Sequence, residues 1–347
     1  MPTKPSPPAF AAAAGRTTIA DVAEKAGVSK ATVSRFLNRR DELLTPEIAT
    51  RVESAIAALG YTPSPMAQAL KRGRSRLVGL VVADVTNPFS VAVLRGAEKA
   101  CQEAGYLLML FNLGDDSQRE REAIQALASY HVEGLILNTL GRDAGAAAAV
   151  ARQGRPVVLV DRRHGNMQAD FVSLDNAGAI RTAGAHLLEC GWDELLFVTE
   201  PSEGVSSREE RVAAFRAFLA SHPQARGAVF ESVAGDSQAL ERELQQLRAR
   251  GRRPAVLASN AVITLRVAAA VARLGWNFGE DLGFVGIDET EWAPLVGPGL
   301  TTIAQPTDAL GRLATACLLE RLAGLNVPPR QILLQGELVV RRSSRQA

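Results

Sequence analysis

Two sets of polar residues in this chain have the types and spacing to do chemistry. The first is Lys30, Ala31, Ser34 and Arg35, which on a helix would share one short, basic face. Such a face can enter a major groove, where lysine or arginine donates to guanine O6 and N7 and alanine offers only its methyl to thymine. The second is Asp84, Asn112, Asn138, Asp161, Asn260 and Asp288, each expected at or just past the carboxyl end of a β-strand. That edge is where open α/β sheets hold ligands. Any one of these residues alone also suits a turn or helix cap. Their recurrence over both halves of the chain points to a polar crevice.

The basic face needs a helix-turn-helix to present it, and the surrounding residues supply one. Thr18 with Asp21 makes a capping pattern, Ile19, Val22, Ala23 and Ala26 fall on one helical face, and Gly27 ends the helix. Ser29 caps a second helix whose Val33 and Leu37 face inward. A third begins at Thr45 and Pro46 with Glu47 in its first turn, carries Ile48, Val52, Ile56 and Leu59 on one stripe, and stops at Gly60. An ordinary three-helix scaffold shares much of this pattern, and the segment after Gly60 favours DNA binding over it. Pro63 and Pro65 break the chain, and Met66 to Gly73 offers one or two more turns, too short to be stable alone. DNA or a second copy of the chain is expected to order it.

The 347 residues suggest two or three folding units, and a hydrophobic content of 47% excludes global disorder. Lys and Arg number 39 against 37 Asp and Glu, so net charge says little about partners. Its distribution says more, because four of the six residues from Lys71 to Arg76 are basic, directly after the helical module. Cys101, Cys190 and Cys317 are widely spaced inside expected helices and read as buried thiols in a reducing cytoplasm. No metal and no cofactor are expected. The Pro- and Ala-rich first sixteen residues read as a disordered tail without an export signal, and no apolar run is long enough for a membrane span.

From Leu77 onward short β-branched runs alternate with amphipathic segments, the pattern of parallel sheets. Strands are expected at 77–84, 106–112, 132–138, 156–161, 195–199, 229–232, 255–260 and 283–288. Two doubly wound lobes suit domain-size statistics better than one eight-stranded sheet.

Taken together, the stretches Asp21–Arg35, Gly60–Pro63, Ala67–Leu70, Leu77–Leu80, Asn87–Phe89, Val285–Asp288 and Leu300–Ile303 resemble the LacI/GalR family of bacterial transcription regulators, over about residues 17 to 342. Gly286 to Val296 narrows the resemblance to the 2-ketogluconate-responsive branch of that family. The fold class implied is an all-α helix-turn-helix N-terminal domain plus an α/β two-lobed core like the periplasmic binding proteins, with parallel doubly wound sheets. Its divisions are a tail at 1–16, a helix-turn-helix domain at 17–63, a hinge helix and linker at 64–75, and an effector-binding and dimerisation core at 76–347. Within the core the N-lobe takes about 76–173 and 304–335, and the C-lobe about 174–303 and 336–345.

What the resemblance implies is a cytoplasmic homodimer, bound to a near-palindromic, double-stranded operator and answering to a small-molecule effector, with no membrane partner. Without a terminal leucine-heptad helix it is expected to stop at a dimer, in contact through lobes that include the helix at about 88–104. The implied DNA-contacting residues are Thr18, Ser29, Lys30, Ala31, Thr32, Ser34, Arg35, Asn38, Tyr61, Ala67, Leu70 and Lys71, with Leu70 as a wedge between base pairs in the minor groove and Ala67 near the groove floor. The implied effector set is Asp161, Arg163, Ser207, Arg211, Asn260, Asp288 and Gln305, with Phe89 and Trp292 as apolar walls. Acceptors for hydroxyls, an aromatic wall and a guanidinium for a carboxylate describe a polyhydroxy acid such as 2-ketogluconate. Arg162 adds charge beside Arg163 at the same rim, and the run Asp288–Glu291 reads as further acceptors for hydroxyls.

Three other functions compete: a family regulator for a different sugar or a corepressor-type ligand, a sugar sensor that binds no DNA, and an enzyme. The helix-turn-helix argues against the sensor. No Walker lysine loop, strand-borne GxGxxG or GxSxG elbow is present, and His131, His164, His186 and His222 lie in no nucleophile pattern, so the chain is not expected to be an enzyme. The mode of action expected is repression: the effector-free dimer orders its hinge on the operator, and a sugar acid closing the lobes favours release, the opposite sign being the corepressor alternative. Leu70→Ala is expected to weaken operator binding, read by gel shift, with effector affinity unchanged; undiminished operator affinity would remove the wedge role.

Overall fold

The computed structural model describes residues 17–37, 44–62, 74–114, 117–141 and 144–345. The expected tail, the hinge helix with Ala67, Leu70 and Lys71, and Asn38 lie outside them. The chain divides into two compact units between Ser75 and Arg76.

In the first unit α1 (Ile19–Ala26), α2 (Lys30–Leu37) and α3 (Pro46–Leu59) share one small core. Val22, Ala23, Ala26, Val33, Val52 and Ala55 are its buried centre, and Ile19, Leu37, Ile48, Ile56, Leu59 and Tyr61 pack around it. The expected capping signals are present. The Thr18 and Asp21 side chains each accept from the other's backbone N–H, and Gly27 closes α1 with φ 61°. A side chain at position 27 would also meet the Arg51 guanidinium, which donates to the carbonyls of Ala26 and Gly27 and ties α3 to the turn.

The second unit holds two six-stranded sheets. The first runs β11-β5-β4-β3-β1-β2, all parallel, from β1 (Leu77–Val82), β2 (Leu107–Asn112), β3 (Gly134–Asn138), β4 (Val157–Val160), β5 (Asp170–Leu174) and β11 (Gln331–Leu334). One face carries α4 (Pro88–Glu103) and α11 (Thr307–Leu322), and the other α5 (Ser117–Ser129) and α6 (Ala144–Arg152). Gly96 and Gly311 let the backbones of α4 and α11 touch: a Cβ on either would lie within 2.3 Å of a carbonyl oxygen of the other helix.

The second sheet runs β12-β10-β9-β8-β6-β7, from β6 (Glu194–Thr199), β7 (Arg226–Glu231), β8 (Pro254–Ala258), β9 (Gly283–Ile287), β10 (Thr301–Ala304) and the antiparallel β12 (Glu337–Val339). Helices α7 (Asn176–Glu189) and α8 (Ser206–Ser221) cover one face, α9 (Ser237–Ala249) and α10 (Ala261–Leu274) the other. The chain passes between the sheets after β5, after β10 and between β11 and β12. Asp175, at the first crossing, donates its N–H to Leu334 O and accepts from Gln335 Nε2 at the third.

All eight expected strands are present, with β7 starting three residues earlier than its apolar run because Arg226 and Gly227 carry no strand signal. Strands β5, β10, β11 and β12 went unread, their short runs being opened or interrupted by polar residues: Asp170 and Ser173, Thr301 and Thr302, Gln331, and Glu337. Cys101 and Cys317 are buried in helices, and burial pushes the Cys101 thiol up to about 11; Cys190 caps α7 instead and is half-buried. Among the described residues no helix is long and apolar enough to cross a membrane.

Asp170 locks β5 to α11. Its carboxylate accepts from Arg321 Nη2 at 2.9 Å, from the Arg330 backbone at 2.8 Å and from Arg330 Nη2 at 3.1 Å. Burial alone would raise its pKa, but the Arg321 and Arg330 hydrogen bonds outweigh burial and hold it well below the usual carboxylate range. A carboxyl held down in the folded state contributes stability above its unfolded pKa, about 3.9, and loses it as pH falls toward the folded value. Asp170→Asn is therefore expected to cost about 2–4 kcal/mol at neutral pH in denaturant unfolding, with the gap to the parent narrowing below about pH 4; a gap independent of pH would contradict this account.

Candidate functional sites: a recognition helix and a crevice between lobes

On α2 the buried Val33 and the half-buried Phe36 and Leu37 face the core. Lys30, Ala31 and Arg35 are exposed, and Thr32 and Ser34 are half-buried beside them. Ser29 starts the helix: its Oγ accepts from Thr32 N at 3.1 Å and lies 2.9 Å from Thr32 Oγ1. Thr18 is exposed at the start of α1, while Tyr61 is half-buried against the core after α3. The polar face expected from the sequence is thus a solvent-facing surface on a helix held by its opposite side.

In the second unit, residues far apart in sequence converge between the sheets. Asp161 follows β4 with φ 65°, and the Arg162 N–H donates to Val160 O at 2.7 Å across it, a γ-turn of the strained, positive-φ kind. That turn sends the buried Asp161 carboxylate toward α8 of the other lobe. There Ser207 Oγ donates to it at 3.2 Å and Arg211 Nη2 lies 3.7 Å away. Arg211 is buried, with Nε donating to Asn176 Oδ1 at 2.8 Å and Nη1 to Ser259 O at 2.7 Å.

The next residues continue the chain of contacts. Asn260 caps α10 by accepting from Ile263 N, and its amide donates to Glu200. Asp288, at φ 83° after β9, accepts from Ala261 N at 2.9 Å and from Gln305 Nε2 at 2.6 Å. Burial raises the Asp288 pKa, against the opposing pull of the Arg211 charge and these hydrogen bonds. Asp161 Oδ1 and Gln305 Oε1 are buried acceptors without a hydrogen-bond partner. Full burial of such atoms is costly, and it marks where a ligand's donors would be received.

Five expected residues therefore meet, Asp161, Ser207, Arg211, Asp288 and Gln305, while Asn260 stands between Ser259 and Ala261, which bond Arg211 and Asp288, with its own side chain on Ile263 N and Glu200. Trp292 is half-buried against the C-lobe core, and Phe89 is buried in the N-lobe core at the start of α4. Arg163 is half-exposed, with its guanidinium 4.0 Å above the Phe171 ring and 3.7 Å from Glu210. Of the acidic run only Asp288 joins the cluster; Glu289 is taken by Arg341 and Thr302, and Glu291 is exposed. Three strand-end residues serve local structure instead: Asp84 accepts from Thr86, Asn112 from Val85 N, and Asn138 bridges Ser90 and Val160. Sequence reasoning missed Asn176, which orients Arg211. Its only signal was the Asp175-Asn176 pair ahead of a helix, hidden by the unread β5.

A helix-turn-helix unit and a two-lobed α/β core with a polar cluster between its lobes define a ligand-responsive DNA-binding regulator, and comparison with known proteins agrees. Residues 18–64 match the family described as bacterial regulatory proteins, lacI family, and residues 185–344 match the periplasmic binding protein-like domain. The chain is 47% identical over 331 residues to the HTH-type transcriptional regulator PtxS of Pseudomonas plecoglossicida, covering 95% of this chain and 96% of that protein. It is 39% identical to the HTH-type transcriptional regulator KdgR of Bacillus subtilis (strain 168), over 95% and 98% of the two chains. Its fold superposes with a TM-score of 0.82 and 25% identity on the Lac repressor dimer bound to operator and the anti-inducer ONPF, over 95% of this chain and 99% of that one. The chain belongs to the LacI family of transcriptional regulators, and no enzyme family is indicated.

Arg211→Ala would leave Asn176 Oδ1 and Ser259 O without their donor and Asp161 with one fewer cation. It is expected to cost about 2 kcal/mol or more of effector binding, some 30-fold in calorimetric affinity, with operator binding retained; an intact response would remove Arg211 from the ligand site.

Proposed function

We propose that this chain is a homodimeric repressor of sugar-acid catabolism that leaves its operator when 2-ketogluconate binds between the core lobes. The observation carrying the reading is the buried cluster in which Asp161 of one lobe meets Ser207 and Arg211 of the other. In this reading the carboxylate and amide oxygens accept from hydroxyls and the guanidinia meet a carboxylate, with Trp292 and Phe89 assigned as apolar walls and Arg163 to the rim. The choice among sugar acids rests on the resemblance through Gly286–Val296 and is supported by the likeness to PtxS and KdgR over nearly the whole chain.

The DNA end of the proposal places Lys30, Ala31 and Arg35 against base edges, Thr18, Ser29, Thr32 and Ser34 along the same docking face, and Tyr61 behind it. Likeness to the Lac repressor dimer bound to operator supports two such faces on one operator. The ligand acts through the lobes. Because the lobe-closing contacts are themselves the ligand-contacting groups, a bound sugar acid replaces them and favours a different lobe arrangement. Moving the population from mostly bound to mostly free needs a differential affinity of about 10⁴-fold between the two states.

Calorimetric titration with 2-ketogluconate, beside gluconate, ribose and hypoxanthine, tests the ligand. Selective binding of 2-ketogluconate together with release of operator in a gel shift is expected. Binding of another of the four would reassign the effector, and tighter operator binding with 2-ketogluconate would reverse the sign of control.

A further inference from the structure

A sugar acid differs from a neutral sugar by one carboxylate, and that group has to be met by a cation with donors still to give. Arg211 has committed Nε and Nη1 to the neutral acceptors Asn176 Oδ1 and Ser259 O. Arg163 carries its charge over the Phe171 ring and toward Glu210. Arg162 differs from both. It is only 7% exposed, although a guanidinium is among the side chains least often buried. Its Nε lies 3.3 Å from Asp161 Oδ2, the oxygen that receives Ser207, and that buried Nε–H has no hydrogen-bond partner. Its side-chain hydrogen bond is a long one, from Nη1 to Thr139 O at 3.5 Å. Among the described residues its five N–H donors are therefore met by one weak hydrogen bond and one ion contact.

The surroundings hold this arginine in place. The γ-turn at Asp161 sets the direction in which residue 162 leaves the strand. Thr139, whose carbonyl receives the side chain, is itself pinned, since its hydroxyl donates to Glu120 and lies 2.8 Å from His164 Nε2, with all three residues buried. Gly141 is required beside them, because a Cβ there would lie 2.4 Å from Arg163 O.

We propose that Arg162 is the specificity-determining residue of the crevice: it takes the ligand's carboxylate and so makes the site select sugar acids over neutral sugars. The inference rests on the sugar-acid reading above. The ion contacts agree, because two guanidinia, of Arg162 and Arg211, lie 3.3 and 3.7 Å from the one carboxylate of Asp161, an arrangement suited to a second anion. A planar fork also fits a carboxylate with two parallel hydrogen bonds, which a lysine cannot do.

The test is calorimetric titration of the full chain, as wild type, Arg162→Met and Arg162→Lys, with 2-ketogluconate and with D-fructose, which has the same carbon skeleton with a hydroxymethyl group in place of the carboxylate. Arg162→Met is expected to lose acid affinity by roughly 30-fold or more, while fructose binding changes little, so that the acid-over-neutral preference collapses. Arg162→Lys keeps the charge without the fork and is expected to bind the acid several-fold more weakly and still prefer it. Operator binding and thermal unfolding establish that each variant is folded; should Arg162→Met fail to fold, Arg162→Lys carries the test, and should fructose bind too weakly to measure, the acid decides alone. Acid affinity equal to wild type in a folded variant overturns the role of Arg162 and leaves the sugar-acid reading standing. A wild type that binds no sugar acid overturns both.

Discussion

The core depends on a carboxylate removed from water at the junction of two lobes. Asp161 is buried and stays so because Ser207 and Arg211 reach it from one lobe and Arg162 from its own. A buried ion is costly unless its geometry and hydrogen bonds repay the lost solvation, and here the repayment is divided between two lobes. Lobe position and site electrostatics are consequently one variable. A ligand that supplies hydroxyls to Asp161 or an anion to the arginines changes the balance holding the lobes together, and only such differential contact can shift a conformational equilibrium.

The two acids of the cluster are prepared differently although both leave strands with positive φ. Asp161 is thrown outward by its γ-turn into a nest of cations, whereas Asp288 is drawn back over the start of α10 by Ala261 N and crossed by Gln305. Backbone strain of this kind persists where the surroundings over-determine it. Around the N-lobe they do: the α4–α11 contact closes to backbone distance at Gly96 and Gly311, and Asp170 ties β5 and the approach to β11 to α11. The crossing after β5 thereby leaves a tightly tied frame, and the crossing after β10 enters it.

The DNA-binding unit is built on local rules instead. Caps at Thr18, Ser29 and Thr45 and left-handed glycines at 27 and 60 set the helix ends, and a core of small residues leaves Lys30, Ala31 and Arg35 outside. Among its described residues the contacts distant in sequence are those of α3, such as the Arg51 tie to the α1–α2 turn.

That difference decides what could be read without a structure. Helix starts, stops and faces depend on residues within four positions of one another, so the three N-terminal helices and the basic face were determined by the sequence itself, as were the strands long enough to show a β-branched run. Strands β5, β10, β11 and β12 were not, because polar residues open or interrupt their short runs, as in Asp170-Phe-Val-Ser-Leu174 and Thr301-Thr-Ile-Ala304, and they are held by neighbours 12 to 160 positions away. The same limit applies in the crevice. Residue type singled out six strand-end Asx residues, but only tertiary structure separated Asp161, Asn260 and Asp288 from Asp84, Asn112 and Asn138, whose partners all lie within the N-lobe. It also decided which of two adjacent arginines is buried: Arg162 and Arg163 are chemically identical in sequence, and a single γ-turn directs one to Asp161 and the other to the face of Phe171.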